Sequence, residues 1–185
     1  GDRMNLKEKI DAGFVYQFSE IMRSFKHEDY SDLVFLCIGT DKMTGDSFGP
    51  LVGHQLKRLL KNFETIKHII VLGDLEENVC ATNIYEKVEK IKKNCEKPYI
   101  IAIDSALSRK EDIGKIFVSK KGICVRKGIQ KKHEQIGNAS IKGVVAKDYK
   151  IPQINYEILQ NTPLRIIIKL SEEIANGIFE VIQYS

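Results

Sequence analysis

Two aspartates carry the chemistry this chain could do. Asp46 lies in a loop rich in Gly and Asp after the apolar run Leu33–Ile38, and Asp104 closes the apolar run Tyr99–Ile103. Two carboxylates that face each other cannot both ionise cheaply. One keeps its proton, and the pair can then serve as acid and base on a single water. Open α/β sheets place their ligand crevice at the carboxyl ends of the strands, where both residues are expected. Each also has a plain structural reading. Asp46 could bond its own backbone near a helix start, and Asp104 could be a turn residue or cap at a strand end. Spacing favours neither.

Around this pair, Gly39, Gly45 and Gly49 permit backbone angles and close approaches that other residues would not. With Asp41 of the same loop and Glu76 of the loop after the next strand, they are the expected substrate-binding set. An exposed loop acid is the alternative for Glu76, and a chain-turning role for Asp41. Neither Gly-x-Gly-x-x-Gly nor a Walker-type phosphate loop is present. His27, His54, His68 and His133 are not spaced as a metal pair. Neither a metal site nor a cofactor is predicted. Ser47 and Ser105 each follow a candidate Asp, but there is no Gly-x-Ser-x-Gly elbow.

The elements that must hold these residues read as follows. Apolar residues at spacings of three and four predict a helix from about Asn5 to Phe25. A strand over Leu33–Ile38 has no alternation, as expected when both faces are covered. Pro50 suits the first turn of the next helix. A strand over His68–Gly73, a helix over Asn83–Lys93 capped by Asn83, and a strand over Tyr99–Asp104 follow. Alternating strands and helices argue for right-handed crossovers and a parallel sheet. Further on, Lys115–Ser119 and Gly122–Arg126 read as a hairpin, Lys127–Ser140 as a loop and Ile141–Ala146 as a strand. Pro152 opens a short helix to about Leu159. Thr162 and Pro163 would start a long C-terminal helix. The expected architecture is a three-layer αβα fold with a mainly parallel sheet.

The chain has 185 residues, of which 43% are hydrophobic, enough for one α/β domain with a sizeable core. The formal net charge of +4 is spread over scattered Lys pairs interleaved with Glu, which argues against nucleic acid as a partner. No apolar run reaches the ~18 residues of a membrane span. The four Cys form no Cys-x-x-Cys pair and fit a reducing compartment, so a cytoplasmic location is expected. An exposed stripe expected on the N-terminal helix leaves room for a homodimer.

Cys37-Ile38-Gly39-Thr40-Asp41, the run from Thr44 to Gly53, Ile101-Ala102-Ile103-Asp104 and Leu159-Gln160-Asn161-Thr162 together resemble the YyaC-type sporulation proteins. The resemblance runs from about Leu33 to the end and leaves out the N-terminal helix. That family is similar to the germination protease of spore formers and to the hydrogenase maturation endopeptidases. The resemblance implies a phosphorylase/hydrolase-like fold and a peptidase acting on a protein or peptide substrate. It implies Asp46 and Asp104 as the catalytic pair of the germination protease. In the hydrogenase peptidases, acids at the same two places bind nickel together with a downstream His. His133 is in that region but in no matching motif, and Cys80 stands where many relatives have a His. Two other readings remain: a non-catalytic binding or regulatory protein on the same scaffold, and a metal-dependent hydrolase.

Overall fold

The computed structural model describes residues 12–63, 68–127 and 132–185. Helix α1 (Ala12–His27) leads into β1 (Asp32–Cys37), and a 3-10 turn (Thr44–Ser47) runs directly into α2 (Phe48–Leu60). Then come β2 (Ile69–Leu72), α3 (Ile84–Asn94) and β3 (Pro98–Ser108). The second half holds β4 (Ile116–Ser119), β5 (Ile123–Lys127), β6 (Lys132–Ile136), β7 (Ala139–Lys147), α4 (Pro152–Gln160) and α5 (Leu164–Gln183). The part of the predicted N-terminal helix before Ala12 falls outside the described residues.

The main sheet has the order β2-β1-β3-β7-β4. β1 pairs in parallel with β2 and β3, β3 pairs in parallel with β7, and β4 closes the edge antiparallel to β7. Alternation along the strands divides the core in two. On one face Leu33, Phe35, Ile101 and Ile103 pack with α2, α5 and α1; on the other Val34, Leu36, Ile100 and Ala102 pack with α3 and residues of β5 and β6. Both faces are therefore covered, which is why β1 reads as an unbroken apolar run. Helix α5 supplies Ile167, Leu170, Ile174, Ile178 and Ile182 along one stripe, all buried.

Several expectations change. Among the described residues the N-terminal stripe is not exposed: Phe14, Phe18, Ile21 and Met22 are buried in the core, so this part of the helix offers no apolar stripe to a second copy. β4 and β5 do not form a hairpin. β4 joins the main sheet, while β5 pairs with β6 in a separate two-stranded sheet. β6 lies in the stretch read as a loop; it pairs with β5 and buries Ile136 on the α3 face of the sheet. The Asn83 side chain does not cap α3; it accepts from the Cys80 N–H at 2.9 Å. Thr162 likewise does not cap α5, and its hydroxyl donates to the Ile158 carbonyl at 2.8 Å.

Candidate active site

Asp104 does not end its strand. β1 stays in register with β3 only as far as Cys37 opposite Ile103, whereas β3 continues through Asp104 to Ser108 with β7 alone beside it. Side-chain burial follows the same boundary. Ile101–Ile103 are buried, and Asp104–Ser108 are only partly so. The chain leaving β1 departs here and enters the turn that bears Asp46. β1 and β3 also flank the point where the strand order reverses, the switch point at which open α/β sheets form their crevice.

The Asp46 turn is held from several sides. The Thr40 N–H donates to the Asp46 carbonyl at 3.0 Å, the Asp46 N–H to Met43 at 3.0 Å, and the Ser47 hydroxyl to Thr44 at 2.6 Å. Gly45 lies under Leu159 of α4, close enough that a β-carbon would come 2.6 Å from Leu159 Cδ2. Gly49 packs on the Ile38 carbonyl, and Gly39, at φ +146°, against the Asp46 carbonyl. The glycines thus serve backbone approach. Gly45 and Gly49 are buried and offer no surface to a substrate, contrary to expectation.

Asp46 acts electrostatically on Asp104. Burial raises the Asp104 carboxyl, the nearby Asp46 charge raises it further, and it titrates at about 7. The Ser105 N–H and the Lys142 charge pull in the opposite direction. Burial raises Asp46 as well, against a contact from the Ser105 hydroxyl. That hydroxyl stands 3.5 Å from Asp46 Oδ1, at the outer limit for a hydrogen bond. Lys142 is brought alongside by β7, which sets it opposite Asp104 in register. Both Ser105 and Lys142 thus belong to the site. Ser105 is visible in the sequence only as the neighbour of Asp104, and Lys142 only through the β3–β7 pairing.

The other predicted residues stand apart from the pair. Asp41 is exposed, and its N–H donates to Asn78 Oδ1 at 3.2 Å. Glu76 is exposed, and its N–H donates to the Asp74 carboxylate at 2.9 Å. Asp74 is the organiser of that loop. It also accepts from the Glu77 N–H at 2.7 Å and from the Lys57 ammonium of α2, and its carbonyl accepts from Asn78 Nδ2 at 2.8 Å. Its carboxyl is held below the ordinary range, with the Lys57 bond leading the effects that overcome burial. Asn78 therefore ties the β2–α3 loop to the β1 loop. His133 lies on β6, opposite Arg126, and not in a loop. Among the described residues no three His, Cys, Asp or Glu side chains gather as a metal site. Two carboxylates without imidazole or thiolate are a poor donor set for nickel or zinc.

The profile of the family described as "Protein of unknown function (DUF1256)" matches residues 6–177. The chain belongs to this family. The match takes in α1. A relative in Bacillus subtilis (strain 168), the uncharacterized protein YyaC, is 31% identical over 169 residues, covering 91% of this chain and 78% of that protein. Among solved structures, the NiFe hydrogenase maturation protease HycI from Thermococcus kodakarensis KOD1 superposes with a TM-score of 0.53 at 16% identity, over 88% of this chain and 99% of its own. That likeness is one of fold: a mixed α/β unit with a mostly parallel sheet flanked by helices. Among the described residues no helix is long and apolar enough to cross a membrane.

Proposed function

We propose that this DUF1256 protein is a peptidase that cleaves a protein or peptide substrate with the Asp46–Asp104 pair. The observation that carries the reading is the Asp104 carboxyl at the switch point, which burial and the nearby Asp46 charge keep protonated up to about pH 7. Asp104, raised further, is the acid; Asp46, served by the Ser105 hydroxyl, is the base. Water adds to the substrate carbonyl carbon, giving one proton to Asp46, while Asp104 gives its proton to the carbonyl oxygen. The C–N bond of the resulting gem-diol then breaks. The proton on Asp46 passes to the departing nitrogen, and a hydroxyl proton returns to Asp104, restoring the pair. Support for protein cleavage as the activity comes from the fold shared with a maturation protease. A role in sporulation is supported by the resemblance to YyaC-type proteins, and a cytoplasmic location by four cysteines without a Cys-x-x-Cys pair.

Asp46→Asn and Asp104→Asn should each abolish cleavage of a proteome-derived peptide library while circular dichroism stays unchanged. Equal cleavage by either variant would overturn the assignment. A non-catalytic binding role is the second reading. It is favoured by the absence, among the described residues, of a hydrogen bond joining the two acids, since Asp46 accepts from Ser105 instead. In that case the wild type would retain peptides from the library without cutting any.

A further inference from the structure

We infer that the stretch of β3 beyond the end of β1 is a docking edge, on which an extended peptide adds as a strand between the two acids. Backbone groups of successive residues in a strand point to opposite neighbours. The alternation in β3 is fixed on both sides. The Ile100 and Ser108 carbonyls accept from Asn138 and Asp148 on the β7 side, at 2.7 and 2.8 Å, and the Ile103 carbonyl accepts from Ile38 on the β1 side, at 2.7 Å. The register of β3 with β7 shifts between Ala106 and Leu107, so the side is counted on from Ile103 and back from Ser108: the Ser105 carbonyl and the Leu107 N–H point where β1 has left, and no described strand pairs with them. They are spaced to take both the N–H and the C=O of one residue of an added chain. Open edges of this kind pair readily with extended peptides, the main chain giving affinity.

The occupant is set by what flanks the edge. The Asp104 carboxylate turns back to the Ser105 N–H, and the Ser105 hydroxyl stands 3.5 Å from Asp46 Oδ1, so both acids meet the edge at Ser105. A chain paired to Ser105 and Leu107 therefore runs its own backbone past both carboxylates. Main-chain pairing demands extended backbone and no particular side chain, so the ligand class is an extended, proline-free peptide segment. The proposal rests on the peptidase reading for what happens to the bound peptide, not for how the peptide binds.

The test uses the full chain carrying Asp104→Asn, labelled with nitrogen-15, and a mixture of end-capped hexapeptides without proline. The Leu107 amide resonance should shift and its exchange with solvent should slow. For a peptide isolated from the mixture, N-methylation of the residue paired to Ser105 should weaken binding about tenfold, the loss of roughly one hydrogen bond. If these effects appear while the wild type cuts nothing, the docking edge stands and the peptidase reading falls. If the wild type cleaves but Leu107 is unperturbed, or nothing perturbs it at all, the edge proposal is overturned. Leu107 shifts that grow with protein concentration in the absence of peptide would also overturn it, because a second copy would then be the occupant.

Discussion

Gly39 and Asp46 touch through their backbones: a β-carbon on Gly39 would lie 2.0 Å from the Asp46 carbonyl oxygen. The oxygen itself accepts from the Thr40 N–H, so the first residues of the loop fix the height at which the Asp46 side chain stands. Gly39→Ala should therefore destabilise the protein by about 2 kcal/mol or more, through both the +146° φ and the clash. It should also lower cleavage beyond what the lost folded fraction explains. Urea melts compared with activity per folded molecule check this, and a wild-type melt would refute it.

The Asp104 carboxyl makes stability depend on pH in an unusual direction. Its value rises from 3.8 to about 7 on folding, so the folded chain holds the proton more tightly than the unfolded chain. The associated stability is complete below about pH 4 and is lost as pH rises through about 7. Asp104→Asn removes this loss, and by pH 8 the variant should be more stable than the wild type by roughly 2 to 4 kcal/mol. Cleavage by the wild type should decline above about pH 7, as the pair gives up its proton. Denaturation curves at pH 4, 6 and 8 separate this from a stability difference that does not change with pH.

Asp112 shows the opposite sign. It accepts from the Ser108 hydroxyl at 3.2 Å, from Arg109 Nε at 3.0 Å and from Lys115 at 2.7 Å, the last two holding its carboxyl down to about 2. Its contribution is present above about pH 4 and is lost as pH falls through about 2. Asp112→Asn should lower the melting temperature at pH 7, and the difference should vanish near pH 2. A difference that persists in acid would assign the effect to packing.

Asn78 joins two loops with one side chain, donating to the Asp74 carbonyl and accepting from the Asp41 N–H. Asn78→Ala should cost about 1 to 2 kcal/mol and speed amide exchange at Asp41. Exchange at Asp41 unchanged from the wild type would show that the β1 loop stands without this tie.

The first half of the fold was legible because its signals are local. β1 is apolar throughout after Asp32, α2 begins two residues before Pro50, and α5 repeats a buried stripe along its length. The acids, too, could be named from the loop and strand that bear them. What surrounds them could not. Lys142 meets Asp104 only through the register of β3 with β7, which are separated in sequence by β4, β5 and β6. The continuation of β3 past Ile103 was hidden for the same reason: Asp104 and the three serine and alanine residues after it lack the apolar signature of a strand and depend on β7 for their backbone bonds. β4 and β5 were misread as partners because a short Lys-Lys-Gly connection resembles a hairpin turn, and their true partners lie elsewhere in the chain.

The order in which the strands are laid down has a consequence for the nascent protein. Asp46 is translated before Asp104, which lies on a strand flanked by β1 on one side and by β7, made later, on the other. A chain still on the ribosome, or one truncated before residue 139, lacks the strand that sets Lys142 beside Asp104 and holds the far part of β3. Domains complete their packing as units. The part of β3 that bears Asp104 is thus complete only once β7 has been made, and chains that stop before β7 lack the strand that sets Lys142 beside Asp104.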